Sequence, residues 1–337
     1  MQLGISMAKR LLLTGGTGFF GRALLRHFHA QAERMPEGHP TDFDEIIVLS
    51  RSPQTFASHY PRLATAPWLH WVRGDICRPD SMTALNDWQT VDAVLHAATD
   101  STDKQALTPL QRLDQILGGT RHTLDLAVRL RARRFLMTSS GGVYGPQPAN
   151  MEFIPEDYLG MPDPLDHKNV YSVAKRAAEH LCALYGHQYG LEPVVARCFA
   201  FTGPDLPLGA HFAIGNFIRD ALYRDDITVA GDGSAIRSYL DQRDLAEWLL
   251  TMLDKGEPGR AYNVGSDQAI SIADLAHQVR GLIAPDKPVR ILGQVEASGA
   301  RSRYVPDIYR ARTELGLCVT TPLSEAILAT AGGAKKC

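Results

Sequence analysis

The sequence has no CxxC pair, no HExxH motif and no grouping of histidines and cysteines at metal-ligand spacing. Its five cysteines, Cys77, Cys182, Cys198, Cys318 and Cys337, are scattered. They are expected to pack in the core, with one free thiol at the tail. The twelve histidines form no ligand set, and His27 and His29 are expected on a solvated helix face. No metal is expected. No apolar run is long enough to span a bilayer, and the opening MQLGISMAKR lacks the apolar core of a signal peptide. No membrane association and a cytoplasmic location are therefore expected. A basic excess is missing too. With 35 Lys and Arg against 37 Asp and Glu, the net charge of −2 removes the electrostatic case for a nucleic-acid partner. What remains is 337 residues, 45% apolar and 21% charged, enough for one large α/β unit or two smaller domains.

The first half alternates apolar runs with helical periodicity. Strands are expected over 10–14, 45–49, 70–72, 91–98 and 135–139, with helices over 19–30 and 113–130. Continuous apolar strands separated by helices indicate a parallel sheet covered on both faces. The stretches 31–44 and 145–168 read as loops, the second long and proline-rich. A long helix follows Tyr171, then a strand over 193–201. Short elements are expected over 236–240, 244–253, 261–264, 272–283 and 289–292, and the tail 331–337 is expected to fray. The fold class is thus α/β, a Rossmann-like doubly wound parallel sheet with a smaller mixed α/β C-terminal domain. Residues 1–200 are assigned to the first domain, together with the Tyr171 helix. Residues 201–330 are assigned mainly to the second, with the chain crossing between the two.

Thr14-Gly15-Gly16-Thr17-Gly18-Phe19-Phe20-Gly21 places Gly15, Gly18 and Gly21 three residues apart between a strand and a helix. Backbone N–H groups and the helix N-terminus then face whatever sits at the turn, a geometry suited to the pyrophosphate of a dinucleotide. Phe19 and Phe20 begin that helix. At the end of the second strand an NAD site usually presents a carboxylate to the ribose. Here the residues are Leu49-Ser50-Arg51-Ser52, and the Arg51 guanidinium suits a 2′-phosphate. NADP is expected over NAD. Asp75 and Ile76 follow the third strand, within reach of an adenine, and Ala97 and Ala98 leave room at the fourth strand's end.

Tyr171 and Lys175 sit four residues apart on one helix face. A free phenol, with pKa near ~10, is a poor base at neutral pH. A neighbouring ammonium stabilises the phenolate and lowers that value. The same ammonium can hydrogen-bond the nicotinamide ribose. Ser139 or Ser140, ending the fifth strand, supplies a hydroxyl beside a substrate oxygen.

The order TGGTGFFG, GDI, HAA, SSGGVYG, YSVAK, GDG and RSYLDQRDLA resembles the extended short-chain dehydrogenase/reductase family, more narrowly its nucleotide-sugar epimerases and dehydratases. The resemblance covers roughly residues 9–327. It implies a Rossmann domain, a small C-terminal domain for a nucleotide-diphosphate sugar, and hydride transfer at a sugar carbon, commonly C4. It implies that Tyr171 and Lys175 are the catalytic pair and that Ser140 is the hydroxyl holding the sugar oxygen. It also implies that Arg237 contacts the nucleotide and Arg303 the diphosphate. A homodimer is common in the family.

The departures matter. The family's 4,6-dehydratases carry an acidic pair after the catalytic hydroxyl, and its decarboxylases an acid at the second of these positions. Here both are glycine, Gly141 and Gly142. Elimination of water thereby loses its general acid. Ile116 replaces a family asparagine, and Ala200 replaces another, for which Asn216 is expected to compensate. A 4-epimerase is the favoured reading. An NADPH-dependent reductase of a 4-keto sugar nucleotide stands close behind. A 4,6-dehydratase and a non-catalytic dinucleotide-binding protein follow.

Overall fold

The computed structural model describes residues 8–35, 38–99, 107–210, 212–294 and 302–334. The N-terminal part runs β1 (Arg10–Thr14), α1 (Phe19–Ala32), β2 (Glu45–Ser50), α2 (Pro53–His59), α3 (Pro61–Ala64), β3 (Leu69–Arg73), β4 (Ala93–His96), α4 (Pro109–Arg129), β5 (Arg134–Ser140), α5 (Val170–Tyr189) and β6 (Glu192–Cys198). There follow β7 (Phe201–Thr202), α6 (Ala213–Tyr223), β8 (Ile227–Val229), β9 (Ile236–Arg237), β10 (Leu240–Asp241), α7 (Gln242–Lys255) and β11 (Ala261–Val264). The chain ends with β12 (Ile270–Ser271), α8 (Ile272–Ile283), β13 (Val289–Ile291), β14 (Arg303–Tyr304), α9 (Tyr309–Leu315) and α10 (Leu323–Ala334).

Seven strands form one parallel sheet in the order β11-β6-β5-β4-β1-β2-β3. This is the Rossmann-like architecture expected. Alternate residues of β1 feed opposite faces: Leu11 and Leu13 enter one core with Phe28 and Trp248, and Leu12 enters the other with Ile116 and Phe135. Burial on both faces explains why the strands read as unbroken apolar runs. The strand order reverses between β1 and β4, and such a switch point opens a crevice at the strands' C-terminal ends. A third core, built on α6, β8, α8 and α10 around Ile214, Phe217, Leu275 and Ile327, lies outside the sheet's two cores. Between these segments α7 and β11 return to the large sheet.

Several elements differ from expectation. The fourth strand ends at His96, because Ala97 and Ala98 leave the sheet to pack on Gly15. The expected strand 193–201 stops at Cys198, and Phe201–Thr202 pairs with β10 instead. The expected strand 236–240 divides into β9 and β10, which belong to different sheets. His27 and His29 are half-buried. The His29 ring packs tilted against Trp68 with centroids 4.9 Å apart, and burial lowers the pKa of His27. Cys182 and Cys198 are buried as expected, but Cys77 and Cys318 are exposed. Helix α10 continues to Ala334, so residues 331–334 are helical where fraying was expected; Cys337 lies outside the described residues. Among the described residues no helix is long and apolar enough to cross a membrane, and no group of three or more His, Cys, Asp or Glu side chains is placed to hold a metal.

Candidate active site

The glycine turn sits at the switch point. Gly15 has φ +78°, and a Cβ there would lie 2.5 Å from the Ala97 carbonyl. Only glycine satisfies both the backbone angle and this approach. Gly18 is the N-cap of α1 and donates its N–H to the Gly15 carbonyl at 3.0 Å. A Cβ on Gly21 would lie 2.2 Å from the Gly16 Cα, so its role is to let α1 close onto the turn. A groove of about 310 Å³ runs from here past Arg51, Asp75, Ile76 and Ala98. Beyond Arg51 it adjoins a pocket of about 260 Å³ lined by Ser50, Ser52, Thr55 and His59. The cradle that a Cβ would fill, the helix N-terminus and the long groove fit a dinucleotide.

Thr99 and Phe19 line both that groove and a cavity of about 920 Å³. Phe20, Ser140, Tyr171, Lys175, Arg237 and Tyr304 line the cavity. Among the described lining residues the charged side chains are Arg112, Lys168, Lys175 and Arg237, with His167 beside them and no carboxylate.

Helix α5 delivers Tyr171 in its first turn and Lys175 in its second. Ala174 and Ala178 are fully buried, and their small side chains let this face lie against β5. Lys175 is only 1% exposed. Its ammonium donates to the Thr99 hydroxyl at 2.9 Å and to the Thr138 carbonyl at 2.7 Å. Burial lowers its pKa to about 8. The ammonium is 6.0 Å from the Tyr171 ring centroid. Burial raises the Tyr171 pKa well above the ordinary tyrosine value, and the nearby Cys198 thiol adds to this. The neighbouring Ser140 hydroxyl and the Arg112 charge act in the opposite direction. The groups that ease ionisation of Tyr171 in this arrangement are thus Ser140 and Arg112, and not Lys175 as the sequence suggested.

Strand alternation separates the two serines. Ser139 donates to Glu179 at 2.5 Å, and Glu179 is held by the Arg197 guanidinium at 2.8 Å. Ser140 points the other way and lines the cavity with Tyr171 and Tyr304, accepting from the Gly142 N–H at 3.1 Å. Buried His96, one residue from the turn's contact with Ala97, is bracketed by the Thr14 and Thr120 hydroxyls at 2.8 and 3.3 Å. Burial depresses its pKa to about 3, so it stays neutral and structural.

Two expected residues fall outside the cavity. Asn216 accepts from Arg219 at 3.0 Å and is absent from the lining. Arg303 donates to the Glu152 carbonyl at 2.6 Å and lies over the Phe153 ring, on the opposite side of β14 from Tyr304. Sequence reasoning missed Tyr304, Thr99 and Arg112. The alternation of a strand through Arg303-Tyr304 was the one signal for the first, and no motif marks the others.

These features define a dinucleotide-binding enzyme with a hydroxyl and phenol at the junction of two cavities. The chain belongs to the NAD dependent epimerase/dehydratase family, whose model matches residues 11–265. UDP-glucuronic acid decarboxylase 1 of Danio rerio is 28% identical over 320 residues, 95% of this chain and 71% of that protein. UDP-glucuronic acid decarboxylase 6 of Arabidopsis thaliana is 29% identical over 308 residues, 91% and 83% of the two chains. Among solved structures, UDP-glucose 4-epimerase of Thermotoga maritima with UDP-glucose superposes with a TM-score of 0.79 at 20% identity, covering 97% and 99% of the two chains. The structure of RMD from Pseudomonas aeruginosa complexed with NADPH gives a TM-score of 0.75 at 26% identity, with the same coverage.

Proposed function

We propose that the protein interconverts nucleoside-diphosphate sugars by removing and returning hydride at C4, as a 4-epimerase. The observation that carries this reading is the Ser140–Tyr171–Lys175 set at the junction of groove and cavity, with glycine at both positions where an elimination acid would stand. A bound dinucleotide would supply the hydride acceptor and donor. Gly15, Gly18 and the α1 N-terminus would face its pyrophosphate, Asp75 and Ile76 its adenine, and Lys175 its nicotinamide ribose. Ser140 would hold the C4 oxygen, while Tyr171 takes its proton and later gives it back.

The C-terminal core, with Arg237, would form most of the sugar-nucleotide side, as residues 201–330 suggest. The cationic lining suits a diphosphate, and it suits a sugar carboxylate as well. UDP-glucuronic acid, named for the decarboxylase relatives, is therefore a first substrate to try. A homodimer is part of the same proposal.

One observation favours a second reading, an NADPH-dependent 4-keto-sugar-nucleotide reductase. Arg51 borders a hydroxyl-rich pocket that suits a 2′-phosphate, and a structure 26% identical holds NADPH.

The test is incubation with UDP-glucuronic acid, UDP-glucose or dTDP-glucose and either cofactor. Reduced-nicotinamide absorbance is followed and products are identified by NMR. An isomerised sugar without net cofactor change supports the epimerase. Net consumption of NADPH on a 4-keto sugar supports the reductase. A 4-keto-6-deoxy product, a pentose product, or full turnover by Tyr171→Phe overturns the proposal.

A further inference from the structure

Among the described residues, Lys175 is a buried cation whose hydrogen-bond partners are both neutral. Glu179, one turn further along α5, is taken by the Ser139 hydroxyl and the Arg197 guanidinium. The Lys175 ammonium instead meets the Thr138 carbonyl at 2.7 Å and the Thr99 hydroxyl at 2.9 Å. Thr138 belongs to β5. Thr99 lies just past β4, where the chain leaves the sheet to wall in Gly15. Its N–H turns back to the Ala97 carbonyl at 3.0 Å, and that carbonyl is the one a Cβ on Gly15 would strike. The backbone exit that shapes the glycine turn thus also delivers a hydroxyl to the lysine. Thr99 lines both the groove and the cavity.

An ammonium has three protons to donate. The Thr138 carbonyl and the Thr99 hydroxyl take two, and together they set the direction of the third. Resting on the proposed contact between Lys175 and the nicotinamide ribose, we propose that Thr99 is a positioning residue: its hydroxyl anchors the ammonium so that the remaining proton faces the ribose, and it keeps the lysine charged where no carboxylate does so. A buried ammonium deprived of one acceptor is left partly unsatisfied, and it relieves that cost by releasing a proton to solvent. Without the Thr99 hydroxyl the lysine therefore becomes neutral at a lower pH, and the ribose loses its charged donor. No other bond changes. The charged and titratable groups around the ammonium are Tyr171, Glu179 and Cys182 on α5, Cys198 on β6 and His96 on β4. None of them is among its hydrogen-bond acceptors.

The test is Thr99→Val, which keeps the shape of the side chain and removes the hydroxyl, beside Thr99→Ser, which restores it. NADP affinity is read by intrinsic fluorescence across the neutral and alkaline range. Each chain is measured against its Lys175→Met counterpart, so that the lysine's contribution is followed without turnover. Burial already brings the Lys175 pKa to about 8. In the wild type that contribution should weaken as pH rises through this value, because the charged form is the one that binds. In Thr99→Val the weakening is expected to begin about one to two pH units lower, the strength of one hydrogen bond to a charged group. Thr99→Ser should follow the wild type. With a nucleotide sugar turned over in the panel above, the alkaline limb of kcat/KM should move the same way. A packing role alone would lower affinity equally at every pH. That result, an unmoved onset in Thr99→Val, or a Thr99→Ser chain that behaves like Thr99→Val overturns the inference and leaves the proposed function standing. If Lys175→Met leaves NADP affinity unchanged at every pH, the ribose contact fails and the inference with it. If the onset moves as expected while Tyr171→Phe keeps full turnover, the proposed function alone fails.

Discussion

The hydroxyl of Tyr304 occupies the space that a side chain on Gly141 would need. A Cβ at Gly141 would stand 2.6 Å from that oxygen and 2.7 Å from the Phe199 ring. Gly141→Ala is therefore expected to destabilise the fold by about 1–3 kcal/mol through overpacking. Activity should fall, because the displaced Tyr304 ring reshapes the cavity wall beside Ser140. Chemical denaturation and turnover measured together check this. Gly141→Asp should fare no better, and it should yield no dehydration product.

Ser140→Ala keeps the backbone of β5 but removes the hydroxyl that lines the cavity with Tyr171. Turnover should drop about 10²-fold with a small change in KM, as expected for a group acting mainly in the transition state. A fall in affinity alone, with kcat intact, would mean that Ser140 only holds the sugar.

Arg51→Ala probes the cofactor preference. If Arg51 meets a 2′-phosphate, the NADP dissociation constant should rise about 10- to 100-fold, the worth of a charge-assisted hydrogen bond, and that for NAD should stay level. Titration of intrinsic fluorescence with each dinucleotide makes the comparison. Equal effects on both would remove the basis for NADP.

Lys175 links the site to stability. Its pKa falls from the ordinary 10.5 to about 8 on burial. Between those values the unfolded chain holds a proton that the folded chain has released, so this group makes stability rise with pH across the window. The total is on the order of 3 kcal/mol at most. Buried Cys182 and Cys198, whose pKa values rise to about 12, act in the opposite sense once free thiols ionise. The comparison is accordingly wild type against Lys175→Met: the difference in unfolding free energy should climb with pH from about 8 to 10 and then level. A flat difference would place the lysine's ionisation elsewhere.

Asp205 joins the sheet to the segment after β7. Its carboxylate is 3% exposed, is bonded by Arg26 at 2.8 and 3.0 Å, and lies 3.6 Å from Arg22. Asp205→Ala should cost about 3–5 kcal/mol in urea unfolding, since the two guanidiniums lose their shared partner. An effect near zero would show that water replaces the carboxylate.

Local chemistry made part of this site legible. The glycine turn, Tyr171 and Lys175 each follow from neighbours in the chain, so spacing alone located them. Ser140 was separable from Ser139 only by resemblance, until the pleat of β5 set them on opposite sides. Strand ends were less legible: Ala97 and Ala98 look like strand, yet leave it because Gly15 needs their backbone as a wall. Asn216 and Arg303 were matched by position in a motif, and motifs do not record which way a side chain turns. Tyr304 was invisible for a related reason. Its neighbours Gly141 and Phe199 lie far earlier in the chain, and tertiary contact alone joins them.

The parts of the site emerge from the ribosome in a fixed sequence. A nascent chain extending through β6 carries the glycine turn, Ser140, Tyr171 and Lys175. The large sheet still lacks its edge strand until β11 is made, and the Tyr304 phenol of the cavity wall arrives with β14. The same late segment brings Ile308, Ala311 and Leu317 to the core under the sheet and Ile327 to the third core, so the site is completed only when the last helices pack.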